Sequence, residues 1–455
     1  MMNRGESGGL SLNRREFLQA SAGAFFLASS GMAFGAAAPS NRVRLAIVGC
    51  HEGGRGFTVM KAAMKVPGVE IACVCDVDRR AREFAADHIF RETGVKPRME
   101  KDLRKVLEDK EIDGIVSETP DHFHAYSAIM AMKAGKAVYV EKPCCFCPAE
   151  GQALMRVAKE TGVVLQVGSQ RRASLAIKSA LEWIRDSGAI GDLRWAKAWY
   201  MANRRSIGKG RVSAVPEWLD WDLWQATAPR TEFRDNIVHY KWHWFRNWGT
   251  SEMGNNAPHF ADISRWALGL DSFPEAVACS GGKLFDRGDD YEWPDTFNAS
   301  FKYPGGKFIT FELTSHCNAK PFMDMATGAM VYGTEGAVLF GPNDTVHVFD
   351  AKSRLVREWA AGGVVKEQTS ISTTDPTAGL DVLHMAKFVE CLRSKDQATN
   401  ADAEQGVKSS VLPLLANIAT DSGESIRLDP KTGLPAGGKE INGWTREYAK
   451  GWEVV

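Results

Sequence analysis

An apolar, β-branched run, Arg42-Val43-Arg44-Leu45-Ala46-Ile47-Val48, ends at Gly49 and leads straight into a turn that holds Gly53, Gly54 and Gly56. Such a run reads as a buried parallel strand. The glycines let backbone approach an anionic ligand, whose charge the N-terminus of the next helix would hold. That helix is expected from about Phe57 to Val66. No other feature constrains the fold as much, because parallel strands need crossover connections and so a succession of βα units. The turn is irregular, since a strict G-x-G-x-x-G would put glycine where His51 stands. Either His51 replaces the second glycine, or one inserted residue shifts the pattern to Gly49, Gly53 and Gly56.

The next strand, Glu70 to Cys75, ends at Asp76. A carboxylate there accepts hydrogen bonds from ribose hydroxyls and repels a 2′-phosphate, which points to NAD rather than NADP. Arg79 and Arg80 follow closely and work in the opposite direction. Alternation continues with a strand over Gly114 to Ser117, a helix over Ala125 to Ala134 and a strand over Ala137 to Val140. Repeated units of this kind imply an α/β parallel sheet with right-handed crossovers.

Ahead of this domain, Leu12 to Gln19 resembles the twin-arginine export motif, with its pair at Arg14 and Arg15. Ala20 to Phe34 is apolar and uncharged, and ends near Ala36-Ala37-Ala38. Residues 1–40 therefore read as a signal peptide whose apolar run is short and rich in Ala, Gly and Ser for a membrane span, with an uncleaved anchor as the alternative. The expectation is a periplasmic or otherwise exported chain that folds around its cofactor first and keeps it tightly bound. Residues 41–168 then form the dinucleotide domain and 169–455 the substrate domain. Lys plus Arg and Asp plus Glu are equal at 56 each, so no electrostatic field favours nucleic acid or an acidic membrane. The nine cysteines lack zinc-ligand spacing. Cys144, Cys145 and Cys147 read as buried, inert thiols, and no metal site is expected.

Two further segments carry a family resemblance: Thr119-Pro120-Asp121-His122-Phe123-His124 after one strand and Glu141-Lys142-Pro143 after the next. With the glycine turn and Asp76 they resemble the Gfo/Idh/MocA family of glucose-fructose oxidoreductase, inositol dehydrogenase and MocA. Val167 to Arg172 and Gly254 to Gly269 are similar to exported members. The resemblance implies a Rossmann domain followed by an α+β domain with an open, mainly antiparallel sheet flanked by helices. Candidate strands at Trp195 to Ala202, Phe297 to Tyr303, Lys307 to Thr314 and Val346 to Phe349 suit that sheet. It also implies a homo-oligomer.

By the same resemblance Lys142 handles the proton of the substrate hydroxyl, as a partly desolvated lysine can. A surface lysine after a strand is the plain alternative. The family's second catalytic element is an Asp four residues before a His, and here Asn255 precedes His259. Asn255 can bond a substrate hydroxyl but carries no charge. Asn256 is expected to cap a helix with Pro258 in its first turn, which puts His259 at a helix start. Thr119, Pro120, His124, Glu141 and Gln170 are carried over as cofactor contacts. Arg172 either serves the substrate or pairs with an acid.

All 14 tryptophans lie at or after Trp183, and six fall between Trp218 and Trp248. Indole faces suit the C–H faces of sugars. The segments around Trp221 and Trp244 resemble family stretches near the substrate opening. A sugar or polyol oxidoreductase is the leading reading. An NAD-dependent glycoside hydrolase working by transient oxidation and elimination is the second. A non-catalytic sugar or dinucleotide sensor is the third.

Overall fold

The computed structural model describes residues 42–285, 287–360 and 378–454, so the leader expected at 1–40 lies outside the described residues. Among the described residues no helix is long and apolar enough to cross a membrane.

Strand β1 (Val43–Val48) is buried at all but one position and pairs in parallel with β2 (Val69–Cys75) on one side and β4 (Gly114–Ser117) on the other. β4 and β5 (Ala137–Val140) are buried throughout, as expected of strands covered on both faces. The short β3 (Arg98–Glu100) and β6 (Leu165–Val167) form the edges, giving the order β3-β2-β1-β4-β5-β6. Helices α1 (Arg55–Met64), α2 (Arg79–Thr93), α3 (Leu103–Leu107), α4 (Asp121–Lys133) and α5 (Pro148–Thr161) connect them. α1 and α4 begin earlier than their apolar periodicity suggests. In α4 the extra turn is set by Pro120, whose extended backbone precedes the helix, and by Asp121, an acid suited to the first turn. His122 and His124 are therefore helical.

The second domain is built on a nine-stranded sheet, β14-β13-β12-β11-β7-β10-β9-β8-β15. Its strands are β7 (Leu193–Met201), β8 (Ala276–Gly282), β9 (Thr296–Lys302), β10 (Phe308–Thr314), β11 (Thr327–Gly333), β12 (Gly336–Phe340), β13 (Val346–Asp350), β14 (Leu355–Trp359) and β15 (Ile426–Arg427). Adjacent strands run antiparallel except β7 and β10. β10 alternates strictly, burying Ile309, Phe311 and Leu313, the pattern of a sheet with one face on a core. Helices α6 (Leu175–Ser187), α7 (Trp221–Gln225), α8 (Ser251–Leu268), α9 (Ala378–Ser394) and α10 (Ala403–Ser422) complete the chain. Phe260 of α8 and Leu412 of α10 share one core with those strand residues.

Two features differ from the sequence reading. α8 starts at Ser251, so Asn256 and Pro258 are interior residues rather than a cap and a first turn. A proline there withholds the N–H that the Gly254 carbonyl would accept, which loosens the ladder beside Asn255 and His259. The second is α9, which returns from the C-terminal part of the chain to pack Met385, Phe388 and Val389 against Leu45, Ile47 and Tyr139 of the first sheet. His384 Nε2 donates to Val167 O at 2.9 Å, tying α9 to the edge strand β6. Cys144, Cys145 and Cys147 are buried free thiols.

Candidate active site

A cavity of about 740 Å³ opens at the carboxyl ends of β1, β2, β4 and β5 and continues beneath the tryptophan-rich segment of the second domain. β1 and β4 flank the point where the strand order reverses, the crevice in which open α/β sheets hold ligands. Gly49 has φ +83°, and a Cβ on it would lie 2.4 Å from Glu118 O. On Gly56 a Cβ would lie 1.9 Å from Gly49 O, so only glycine lets α1 approach the turn this closely. Gly53 has φ +73° with open space around it, whereas Gly54 is an ordinary extended residue before the helix. The three special positions are Gly49, Gly53 and Gly56. This favours the inserted-residue reading of the motif.

Asp76 lines the cavity beyond β2. Its carboxylate accepts from Cys50 N at 2.8 Å and from Asp78 N at 2.9 Å. Burial pushes its pKa up, and the two N–H groups oppose that. Arg80 is paired with Asp78 at 3.0 Å and lies 3.4 Å over the Trp218 ring. Neither Arg79 nor Arg80 lines the cavity, while Lys101 and His51 do.

At the other end stands Lys142, carried to the cavity wall by the C-terminal end of β5. Its Nζ donates to Asn255 O at 2.8 Å and to Asn255 Oδ1 at 3.2 Å. His259 lies one turn further along α8 and also faces the cavity. Burial, with the Lys142 charge beside it, holds its imidazole well below its ordinary pKa, so it is neutral near pH 7. Lys142, Asn255 and His259 thus converge on one point. Trp242, stacked on His243 at 3.6 Å, and Tyr240 wall the same end. Arg204 joins them, its guanidinium held by Glu252 at 2.8 Å and 3.1 Å.

The wall between these ends carries orphaned polar atoms. Both Glu118 carboxyl oxygens, Thr119 Oγ1 and His124 Nε2 are buried without a partner among the described residues. All three residues line the cavity with Pro120, and His124 Nδ1 donates to Pro143 O at 2.8 Å. Unsatisfied groups at this density mark a ligand site. Together with the glycine cradle and Asp76 they fit a dinucleotide.

Several residues expected at the site stand behind it. Gln170 donates to Glu141 Oε1 at 2.6 Å and to Tyr139 Oη at 3.0 Å, and does not line the cavity. Glu141 does, but its carboxylate is taken up by Gln170, by Arg55 Nε at 3.1 Å and by Lys142 N at 3.0 Å. Arg172 is a correction: it is buried in a two-pronged pair with Asp262, each prong 2.8 Å, away from the cavity. Trp244 is another, since its Nε1 donates to Glu252 at 3.3 Å and its ring lies in the aromatic core. Trp242 and Trp224 line the cavity instead. The sequence reading missed Arg55, Glu118, Arg204 and Tyr240. Arg55 carried a signal, as the first helical residue after the glycine turn. It grips Asp381 of α9 through two bonds of 2.5 and 2.8 Å.

Residues 43–169 match the family model described as "Oxidoreductase family, NAD-binding Rossmann fold", and residues 223–339 match that of the GFO/IDH/MocA C-terminal domain. The chain belongs to the Gfo/Idh/MocA oxidoreductase family. Within it, the chain is 34% identical over 151 residues to scyllo-inositol 2-dehydrogenase (NAD(+)) of Bacillus subtilis (strain 168), covering 33% of this chain and 42% of that protein. It is 30% identical over 207 residues to a glycosyl hydrolase family 109 protein of Stenotrophomonas maltophilia (strain K279a), covering 43% and 44%. The chain thus spans less than half the length of either relative. In fold it is similar to an oxidoreductase from Agrobacterium radiobacter solved with NAD+, L-tartaric acid and magnesium. That likeness has TM-score 0.63 and 16% identity, covering 85% of this chain and 98% of that one.

Proposed function

We propose that this chain oxidises a CH–OH group of a sugar or polyol with NAD as acceptor. The observation that carries the reading is the convergence of Lys142 Nζ, Asn255 Oδ1 and the neutral His259 ring at one end of a crevice whose other end holds Asp76 and the glycine turn. Gly49, Gly53, Gly56, Asp76, Thr119 and His124 would hold the dinucleotide. When bound, the nicotinamide supplies the acceptor for the two electrons and the hydrogen that leave the carbinol carbon.

The chain's own residues supply the rest. Lys142 is placed to take the hydroxyl proton as the carbon–oxygen double bond forms. Asn255 fixes the ammonium through its carbonyl and side-chain oxygens. The neutral His259 accepts a hydrogen bond from the reacting or a neighbouring hydroxyl. The Trp242–His243 stack offers a flat apolar face to sugar C–H groups and excludes water.

NAD is favoured over NADP because Asp76 meets the ribose end while Arg80 is spent on Asp78 and Trp218. Asp76→Ser is expected to weaken NAD binding by about 1.5–3 kcal/mol, roughly ten- to a hundredfold, in a calorimetric titration. Unchanged affinity would remove Asp76 from the site. The resemblance of Leu12 to Gln19 to the twin-arginine motif supports export of the folded chain with its cofactor held tightly.

The function is tested by releasing and identifying any bound nucleotide, then supplying polyols, sugars and glycosides while following nicotinamide absorbance and products. Net oxidised sugar with reduced nicotinamide is the expected result. The family 109 relative favours a second reading, cleavage of a glycoside by transient oxidation and elimination, which would give cleavage without net reduction. Bound nucleotide with neither reaction would contradict both.

A further inference from the structure

Glu118 stands directly after β4, at the point where the sheet order reverses, and its N–H donates to Val48 O at 2.8 Å. Its backbone abuts Gly49, and its Cβ would lie 3.0 Å from a Cβ on Gly56, the second residue of α1. The side chain therefore sits under the turn where the ribose–diphosphate part of a dinucleotide docks in such sheets. Both carboxyl oxygens are buried without a partner among the described residues, although the residue lines the cavity. A buried polar group left unpaired is costly, and an unpaired buried carboxylate more so.

We propose that Glu118 is a cofactor-positioning residue whose carboxyl group is neutral and donates a hydrogen bond to the ribose–diphosphate segment of NAD, so that the chain binds its cofactor more tightly in acid than in alkali. This rests on the dinucleotide reading of the crevice.

The neighbours decide the protonation state. Glu141, at the end of β5, holds a carboxylate already fixed by Arg55, Gln170 and Lys142 N. Arg55 on α1 is engaged by Glu141 and, through two bonds, by Asp381 on α9. Lys142 points to Asn255, and Tyr139 on β5 accepts from Gln170. Every nearby cation thus has another acid or acceptor, and none bonds Glu118. Burial, with the Glu141 charge next, lifts the Glu118 carboxyl well above the ordinary carboxylate range, against the pull of Arg55 and Lys142. Below that raised value the group is neutral and donates. Above it the group is an anion facing a diphosphate, and both the bond and the favourable field are lost.

The test is NAD affinity of the purified full chain, by calorimetry from about pH 6 to about pH 9, for wild type and Glu118→Gln. The wild type is expected to lose about tenfold or more in affinity across its titration. Glu118→Gln keeps a donor without a titration, so it should hold the acid-side affinity with most of the slope gone. Infrared difference spectra of the wild type give a reading that does not depend on the variant folding: the carbonyl band of a protonated acid, shifted when NAD is added. A flat wild-type profile, a slope unchanged in Glu118→Gln, or a band that NAD leaves in place (the mark of an ordered water as sole partner) would each overturn the proposal. NAD that binds without the slope defeats Glu118 alone, while NAD that binds at no pH defeats the cofactor reading as well.

Discussion

Lys142→Ala is expected to lower kcat about a thousandfold, with NAD affinity changed by less than about tenfold. The two effects separate because Lys142 Nζ meets the second domain through Asn255, at the end of the cavity away from Asp76. Lys142→Arg sharpens the test. A guanidinium keeps the charge but does not lose its proton near neutral pH. If the lysine acts by taking the hydroxyl proton, Lys142→Arg is almost as slow as Lys142→Ala. If it acts only by its positive charge, Lys142→Arg recovers much of the rate. More than about a tenth of wild-type kcat in Lys142→Ala would remove the residue from the chemistry.

Arg172→Ala is expected to cost about 3–5 kcal/mol of stability, because it leaves the Asp262 carboxylate buried with its strongest partner gone. The pair is two-pronged at 2.8 Å, and Ser409 adds a third bond to Asp262 at 2.6 Å. Arg172 holds the Asp262 carboxyl below its usual range even though burial raises it. The paired change Arg172→Met with Asp262→Leu should recover most of the loss, since a buried ion pair replaced by apolar groups is often close to neutral. Denaturant unfolding measures both. At a temperature where the variant stays folded, substrate KM should change little, because Arg172 does not line the cavity. A stable Arg172→Ala with a large rise in KM would return this arginine to the substrate site.

The parts of the fold that were legible in the sequence are those set by local pattern. Buried runs such as Leu45 to Val48 announce parallel strands, and the alternation of Phe308 to Thr314 announces a half-covered one. Asp76 and Lys142 were legible because each stands at a strand's end, where an α/β sheet has few places to put a ligand. The glycine turn was half legible. Spacing left two registers open, and only the approach of Gly56 to the Gly49 carbonyl separates them.

What the sequence hid depends on contacts between distant segments. Arg172 and Asp262 are separated by 90 positions, and nothing local reveals that the arginine's charge is already answered. The Trp244 ring is turned to the core by its bond to Glu252, eight residues on. Asn256 and Pro258 look like a helix start, yet the helix has already begun at Ser251, where Thr250 N donates to the distant Asp121 carboxylate. Glu118 has no periodicity or spacing to mark it. Its oddity is a carboxyl group in a buried wall, visible only when the wall is assembled.

In the function proposed here, this crevice passes hydrogen from a carbinol carbon to a nicotinamide. The most direct measurement supplies polyols and sugars deuterated at the carbinol carbons to the purified chain, then releases the nucleotide and weighs it by mass spectrometry. Bound NAD is expected to gain deuterium from at least one such compound, and to fail to gain it in Lys142→Ala. A nucleotide that never acquires the label from any of them, or that acquires it equally without Lys142, would rule out hydrogen transfer assisted by Lys142.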